Sequence, residues 1–399
     1  KNDWMLGWPR LFGAGPAGAR GMLSTIAGSM MTVVGVTFSM TLVTLVLASS
    51  QYTSRILRNF MRDRVTQIVL GIFAGIFTYC LIVLRTIRGS EEFMFIPSMS
   101  VTFGFLIAIF GIHVLIFFIH HIASSIQASN IIASVANDTM DAIDRLFPEK
   151  IGEAMPDESD TAAEKLAGIK SWVVIPSSRY GYIQSVDHDS LIHFARKQNA
   201  IIRMERGIGE FIVDGAPLLS VSFAGPSVEE AGDRLRGAYS IHRFRTIEQD
   251  AAFGIRQIVD IALRALSPGT NDTTTAVMCI DYLTAISARA AKRTFPPALR
   301  FEDRQLRVVA IGPSFASILG ESLDQIRGSA QGNIAVMEKM IEFLEVIGGM
   351  TQEEERRTII LDHINMIDEL AVRTIAAPLD RTRVLERISE ARQRICFDG

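Results

Sequence analysis

An ionisable side chain inside an apolar run is costly in hydrocarbon, which makes His113 and His120 the first residues to question. They share one helical stripe with Leu106, Phe117, Gln127, Asp138 and Asp141, and the polar positions His113, His120, Gln127, Ser134 and Asp141 recur every seven residues. Several copies gathered around an axis would turn the stripe into rings of imidazole, with apolar constrictions at Leu106 and Phe117 and carboxylates at the mouth. That is the layout of a cation pathway. A plainer account asks for less: a neutral His113 hydrogen-bonds Ser or Thr of a neighbouring helix, and Gln127 to Asp141 is a solvated face.

A second group follows much later. Arg256, Asp260 and Arg264 stand four apart on one helical face, just before a break at 267–272 where Pro268 and Gly269 stop one helix and Asn271 or Asp272 caps the next. A helix start carrying Thr273, Thr274 and Thr275 is able to bind an anion, although capping alone accounts for it. Arg256, Asn271 and Asp272 are the candidate ligand or subunit contacts, set against a default of salt-bridged surface. His188 and His193, beside Asp187 and Asp189, are five apart, so a helix does not bring both imidazoles to one metal.

Known catalytic patterns are missing from the sequence. It contains no Gly-rich loop followed by Lys-Ser/Thr, no dinucleotide fingerprint, no paired-His zinc helix and no nucleophile elbow. The expectation is a non-enzyme without cofactor or metal. Cys80, Cys279 and Cys396 are isolated and imply neither a disulfide framework nor a zinc site. A net charge of −3 and the lack of a basic stripe interleaved with aromatics argue against nucleic acid as a partner.

The elements that must position these residues divide the chain between two solvents. Hydrophobic residues make up 48% and mean hydropathy is +0.26, more than one water-soluble core uses, and the excess lies before Phe118. Three segments, 22–48, 65–84 and 96–122, reach the length of a membrane span. Arg55, Arg58, Arg62 and Arg64 stand against Asp63 in the first loop, which orients that loop, and everything after Ile122, to the cytoplasm. Small residues recur by fours and threes at Gly21, Thr25, Gly28, Thr32, Gly35 and Ser39, at Gly71, Gly75 and Thr78, and at Ser100, Gly104, Ala108 and Gly111. Such faces are expected to be packing seams between helices. Without a breaker between Pro97 and Pro148, the third span reads as one long helix leaving the membrane as an amphipathic stalk.

The fold class read from these patterns is an α-helical transmembrane bundle followed by a cytosolic α+β region. Its parts are a transmembrane domain (1–123), a stalk helix (124–147), a linker (148–170), a small β-rich, barrel-like module (171–225) and a mainly helical C-terminal domain (226–399). Strands are expected at 172–175, 180–186, 200–204, 210–213 and 218–221, with a helix at 189–198. Helices follow at 228–237, 247–266 and 272–292, then a strand at 307–311 and four more helices. The strand rhythm loosely resembles the half-barrel of lipoyl and biotinyl carrier domains, without a modification lysine at its tip.

Leu-Ala-Ser-Ser-Gln at 47–51, Arg-Asn-Phe-Met-Arg-Asp-Arg at 58–64 and Arg-Ala-Leu-Ser-Pro-Gly-Thr-Asn-Asp at 264–272 resemble one bacterial family, catalogued as domain of unknown function 2254 and described as predicted membrane proteins. Residues 126–129, 146–148 and 253–260 are similar too. The resemblance covers nearly the whole chain and implies a multi-pass protein of the bacterial inner membrane, without implying an activity. The leading functional expectation is a homo-oligomeric channel or transport protein with a cytosolic regulatory domain, surrounded by lipid bilayer. The alternative is a non-catalytic accessory or scaffold subunit that binds another membrane protein.

Overall fold

The computed structural model describes residues 15–51, 63–90, 93–125, 127–147, 169, 171–222, 228–303 and 305–397. Two compact units divide the chain, Lys1–Ile131 and Ile132–Gly399.

The first unit contains α1 (Pro16–Gln51), α2 (Arg64–Thr86) and α3 (Ser98–Ser125). All three are long and apolar enough to cross a membrane; the expected segments 22–48 and 65–84 fall within the first two, and 96–122 begins two residues before the third. Helices suit that setting because nearly every backbone donor and acceptor is paired inside the element. Leu23 and Met30 of α1, Phe73 and Ile76 of α2, and Phe118 of α3 meet in one apolar core. The glycine seam of α3 is used: a Cβ at Gly104 would lie 3.1 Å from Leu23, and one at Gly111 3.1 Å from Ile76. Among the described residues nothing packs into the seams expected on α1 and α2, since Gly21, Gly28, Gly35, Gly71 and Gly75 have nothing within 4 Å of a built Cβ. α1 instead buries Ala19, Leu23, Ala27, Met30, Thr37 and Thr44, a face whose larger side chains offer more dispersion contact than glycine does. A short antiparallel hairpin, β1 (Arg88–Ser90) with β2 (Phe93–Phe95), joins α2 to α3.

The single helix expected from Pro97 to Pro148 is two helices, because α3 ends at Ser125 and α4 spans Ala128–Leu146. Side chains compete with the backbone at this point. Ser125 Oγ donates to the His121 carbonyl at 2.7 Å and Asn130 Nδ2 donates to the Ser124 carbonyl at 2.7 Å, local bonds that favour leaving the helix. Gln127 lies outside both helices, so the seven-residue repeat is interrupted there. Of the linker, only Ile169 lies within the described residues.

In the second unit, β3 (Val173–Pro176), β4 (Gly181–Val186), α5 (His188–Lys197), β5 (Ile201–Met204), β6 (Phe211–Ile212) and β7 (Pro217–Ser222) come first. Next are α6 (Val228–Gly237), β8 (Tyr239–His242), α7 (Ala251–Ala265), α8 (Thr273–Ala291), β9 (Leu299–Glu302) and β10 (Gln305–Val309). The chain closes with α9 (Phe315–Ser329), α10 (Ile334–Gly348), α11 (Glu354–Thr374) and α12 (Pro378–Phe397).

No closed barrel forms among the described residues. The strands make two open sheets, β3-β7-β5-β10-β9 and β6-β4-β8. β8, β9 and β10 come from beyond residue 225, so the strands at 173–222 complete their sheets only with later chain. Neither β8 nor β9 was expected, because a run of four residues, although each alternates, is too short to stand out as a strand between helices. Leu218, Leu219, Ser220 and Val221 of β7 are buried in succession, as befits a strand with cover on both faces. The helices α7–α12 pack around Ile258, Cys279, Leu283, Leu319, Met340 and Leu344, all fully buried.

Candidate functional site

The polar groups of the first unit concentrate at the start of α2. Asp63 caps that helix, its carboxylate accepting from Val65 N at 3.0 Å and from Thr66 Oγ1 at 2.6 Å. The same carboxylate lies 2.9 Å from Nε2 of His121, whose ring stacks on Phe117 with centroids 6.2 Å apart. One acid thus satisfies open amides of α2 and binds α3 to it. His121 was not among the sequence candidates; the signal that would have found it is a lone acid in an Arg-rich loop opposite a His-His pair.

The candidate stripe of α3 lies on the opposite side of that helix from its packed glycines. Leu106 is 56% exposed and Phe117 55%, and His113 and His120 are exposed with them. Nδ1 of His113 meets the Ile109 carbonyl of its own helix at 3.0 Å, not a Ser or Thr of another. Neither α1 nor α2 covers the stripe, so the described residues by themselves enclose no path along it. Gln127, Asp138 and Asp141 are exposed as well. Partial desolvation, then the neighbouring Asp141 charge, pushes the Asp138 carboxyl up, with Arg145 opposing.

Arg256, Asn271 and Asp272, proposed above as contacts, serve local structure. Arg256 Nε donates to Asp260 at 3.0 Å on its own helix. Asp272 caps α8, accepting from Thr275 N at 3.0 Å and Thr275 Oγ1 at 2.6 Å, and the Thr275 hydroxyl, then its amide, hold that carboxyl below its ordinary range. Asn271 sits at φ +46°, the left-handed conformation that the sharp reversal requires and asparagine tolerates. Asn333, the cap of α10, donates to Thr273 Oγ1 at 2.9 Å and fixes the turn against the next layer.

Four arginines, Arg245, Arg289, Arg293 and Arg356, tie elements of this unit together. Arg245 donates twice to the buried Asp250, at 2.8 and 3.1 Å, and lies over the Phe253 ring. Gly209, at φ +85°, is pressed against that pair: a Cβ there would meet Asp250 Oδ2 at 2.6 Å. Arg293 donates to Asp144 at 2.7 Å, joined by Arg289. Arg356, 8% exposed, donates to the carbonyls of Ala291 and Arg293 and sits over Phe295 and Phe315. Each closes the open end of a helix or joins two elements.

Among the described residues no three His, Cys, Asp or Glu side chains group as a metal site. His188 is pushed down to about 4 by burial, then by the Arg300 charge. An open cavity of about 610 Å³ beside α5 is lined by Asp187, Asp189, His193, Lys197 and Arg234. Asp187 is committed to capping α5 through Ser190.

Residues 2–346 match the family described as "Predicted membrane protein (DUF2254)". The chain belongs to that family. It is similar to "Uncharacterized protein MT1328" of Mycobacterium tuberculosis (strain CDC 1551 / Oshkosh), 33% identical over 393 residues that cover 96% of this chain and 73% of the relative. "Uncharacterized protein Mb1321c" of Mycobacterium bovis (strain ATCC BAA-935 / AF2122/97) is 32% identical over the same shares. No solved structure matches. In this member of the family, two of the segments that carry the resemblance include helix caps, Asp63 of α2 and Asp272 of α8. Arg55, Arg58 and Arg62 lie outside the described residues.

Proposed function

We propose that this protein crosses the bacterial inner membrane with α1, α2 and α3, assembles from several copies, and conducts or transports a small solute under the control of its second unit on the cytoplasmic side. One observation carries the reading: His113 and His120 stand on the outer surface of the three-helix unit, within a helix whose length and apolarity suit a span. A polar ring atom facing lipid tails is costly, whereas the same atom facing another copy or a hydrated path is not. His113 Nε2 has no hydrogen-bond partner among the described residues and is free to serve such a contact. The mycobacterial relatives agree with a bacterial setting, and the arginine bias of the first loop supplies the orientation.

The test is ion flux into vesicles reconstituted with the full chain, paired with the mass of the native particle in nanodiscs. His113→Ala and Asp141→Asn are each expected to change flux by tenfold or so, the scale of about 1.4 kcal/mol in one rate-determining site. Flux that stays at the level of empty vesicles for the unmodified chain, or a particle that contains one copy, removes the reading.

A further inference from the structure

We infer that the open cavity between α5 and α6 binds a small amphoteric molecule of the free amino acid class, with its ammonium at Asp189 and its carboxylate at Lys197 and Arg234. The cavity has a volume of about 610 Å³, the size of a site for a small molecule. Its floor is apolar: Leu191 and Phe194 of α5 and Leu235 of α6 line it and are buried. The charged side chains that line it are exposed and stand on its rim. A concave apolar surface edged by a few polar groups is the usual form of a ligand site.

Which of these charges already has a partner decides what the cavity takes. The last turn of α5 carries Arg196 and Lys197, and that of α6 carries Arg234 and Arg236. Basic residues at helix ends suit the macrodipole, but the four differ in their partners. Arg196 pairs with Glu302 at 3.1 Å and Arg236 with Asp233 at 2.6 Å. Lys197 and Arg234, the two that line the cavity, have no ion-pair partner among the described residues. Of the two acids on the same rim, Asp187 is occupied as the cap of α5, accepting from Ser190 N and Oγ. Asp189 has no ion-pair partner among the described residues and acts on Arg300 only through space. One open carboxylate and two open cations therefore border a single space. A bare anion or cation there meets a like charge on the rim. Asp189 and Lys197 are eight positions apart, about 12 Å along the helix axis, of which the flexible lysine stem spans a part. A single ion does not bridge them, whereas a molecule with opposite charges at two ends satisfies both and lays its apolar part on the floor. The inference is independent of conduction, since binding is read without flux.

Titration calorimetry on the full chain in nanodiscs, with each of the common amino acids in turn, reads the site. At least one is expected to bind with one molecule per chain and to raise the thermal unfolding midpoint. Its N-acetyl derivative, which lacks the ammonium, and the corresponding amine, which lacks the carboxylate, should each bind about tenfold more weakly or worse. The same loss is expected for the amino acid itself on Asp189→Asn, and on Lys197→Met combined with Arg234→Met, the scale of one charge-assisted hydrogen bond. Lys197→Arg keeps the charge and should keep the binding. All three positions are exposed, so each variant should retain the unmodified midpoint without ligand. Absence of binding by every amino acid overturns the inference, as does undiminished binding in the variants. So does equal binding of the parent and either derivative, or displacement of the amino acid by acetate or inorganic phosphate at equal concentration, which assigns the cavity to simple ions.

Discussion

The outward side of α3 carries Phe110 at 56% and Ile116 at 62% exposure, whereas Met337, Met340 and Leu344 of α10 are fully buried. Both helices are apolar over most of their length, and they differ in which side the large side chains take. In α3 Gly104 and Gly111 share the packed face with Phe118 while further large side chains face out; in α10 the bulk faces the neighbours. The difference follows from the solvent each suits. Between helices in hydrocarbon there is no hydrophobic gain, so close backbone approach and a few polar contacts such as Asp63 with His121 must hold the helices together. In water the apolar side turns inward, and the ends of the helices are closed by buried ionic groups such as Arg356.

Glycine substitutions probe that contrast most directly, and the largest effect is expected in the second unit. A Cβ at Gly254 of α7 would lie 1.9 Å from Thr139 Oγ1 of α4, an overlap that the two helices must part to relieve. With overlaps of 1.9 and 2.9 Å onto one side chain, Gly254→Ala should cost about 3 kcal/mol or more, read as a lower unfolding midpoint, and Thr139→Ala in the same chain should recover part of the loss. Full stability in the single variant would show that α4 and α7 are not packed as described.

Next comes Arg356→Met, which keeps the stem over Phe295 and Phe315 but deletes the donors to Ala291 and Arg293. A loss of about 2–3 kcal/mol is expected in denaturant titration, the scale for charged hydrogen bonds to buried carbonyls. An unchanged midpoint would mean that water satisfies those carbonyls.

A smaller effect concerns pH. Burial lowers His188 from 6.5 to about 4, so in that window the unfolded chain binds the proton and the folded one does not. Stability should therefore fall as pH drops from about 6.5 to about 4. Asp144, Asp187 and Asp272 are held below 3.8 by donors, and what they contribute is lost at still lower pH, through their folded pKa values. His188→Gln should flatten the first part of the thermal-midpoint profile and leave the acid limb in place. A profile with the same slope in both chains would assign the loss to other groups.

The smallest expected change is for Gly28→Ala or Gly71→Ala in the first unit. Nothing lies within 4 Å of either position, so the single chain should shift by less than about 0.5 kcal/mol. Crosslinking of copies in the membrane gives the sharper readout: a loss of the oligomer band in these variants would mean that open seams are used between chains.

Much of this architecture was legible in the residues, for reasons of period and length. Three apolar runs of sufficient length, the cap Asp272, and the helices at 228–237 and 273–291 are local properties, set by side-chain spacing and unpaired amides. The polar stripe of α3 was legible as well, because hydrophobicity alone separates His113 and His120 from their surroundings. Tertiary structure decided the rest. Whether a glycine face is packed or open depends on which neighbour offers more contact, as Gly111 and Gly28 show. Pairing of β5 with β10 brings together residues about a hundred positions apart, and no local pattern encodes such a partner. The break at Gln127 and the seat of Arg356 belong with these, since each depends on side chains competing for, or completing, backbone bonds that spacing alone does not reveal.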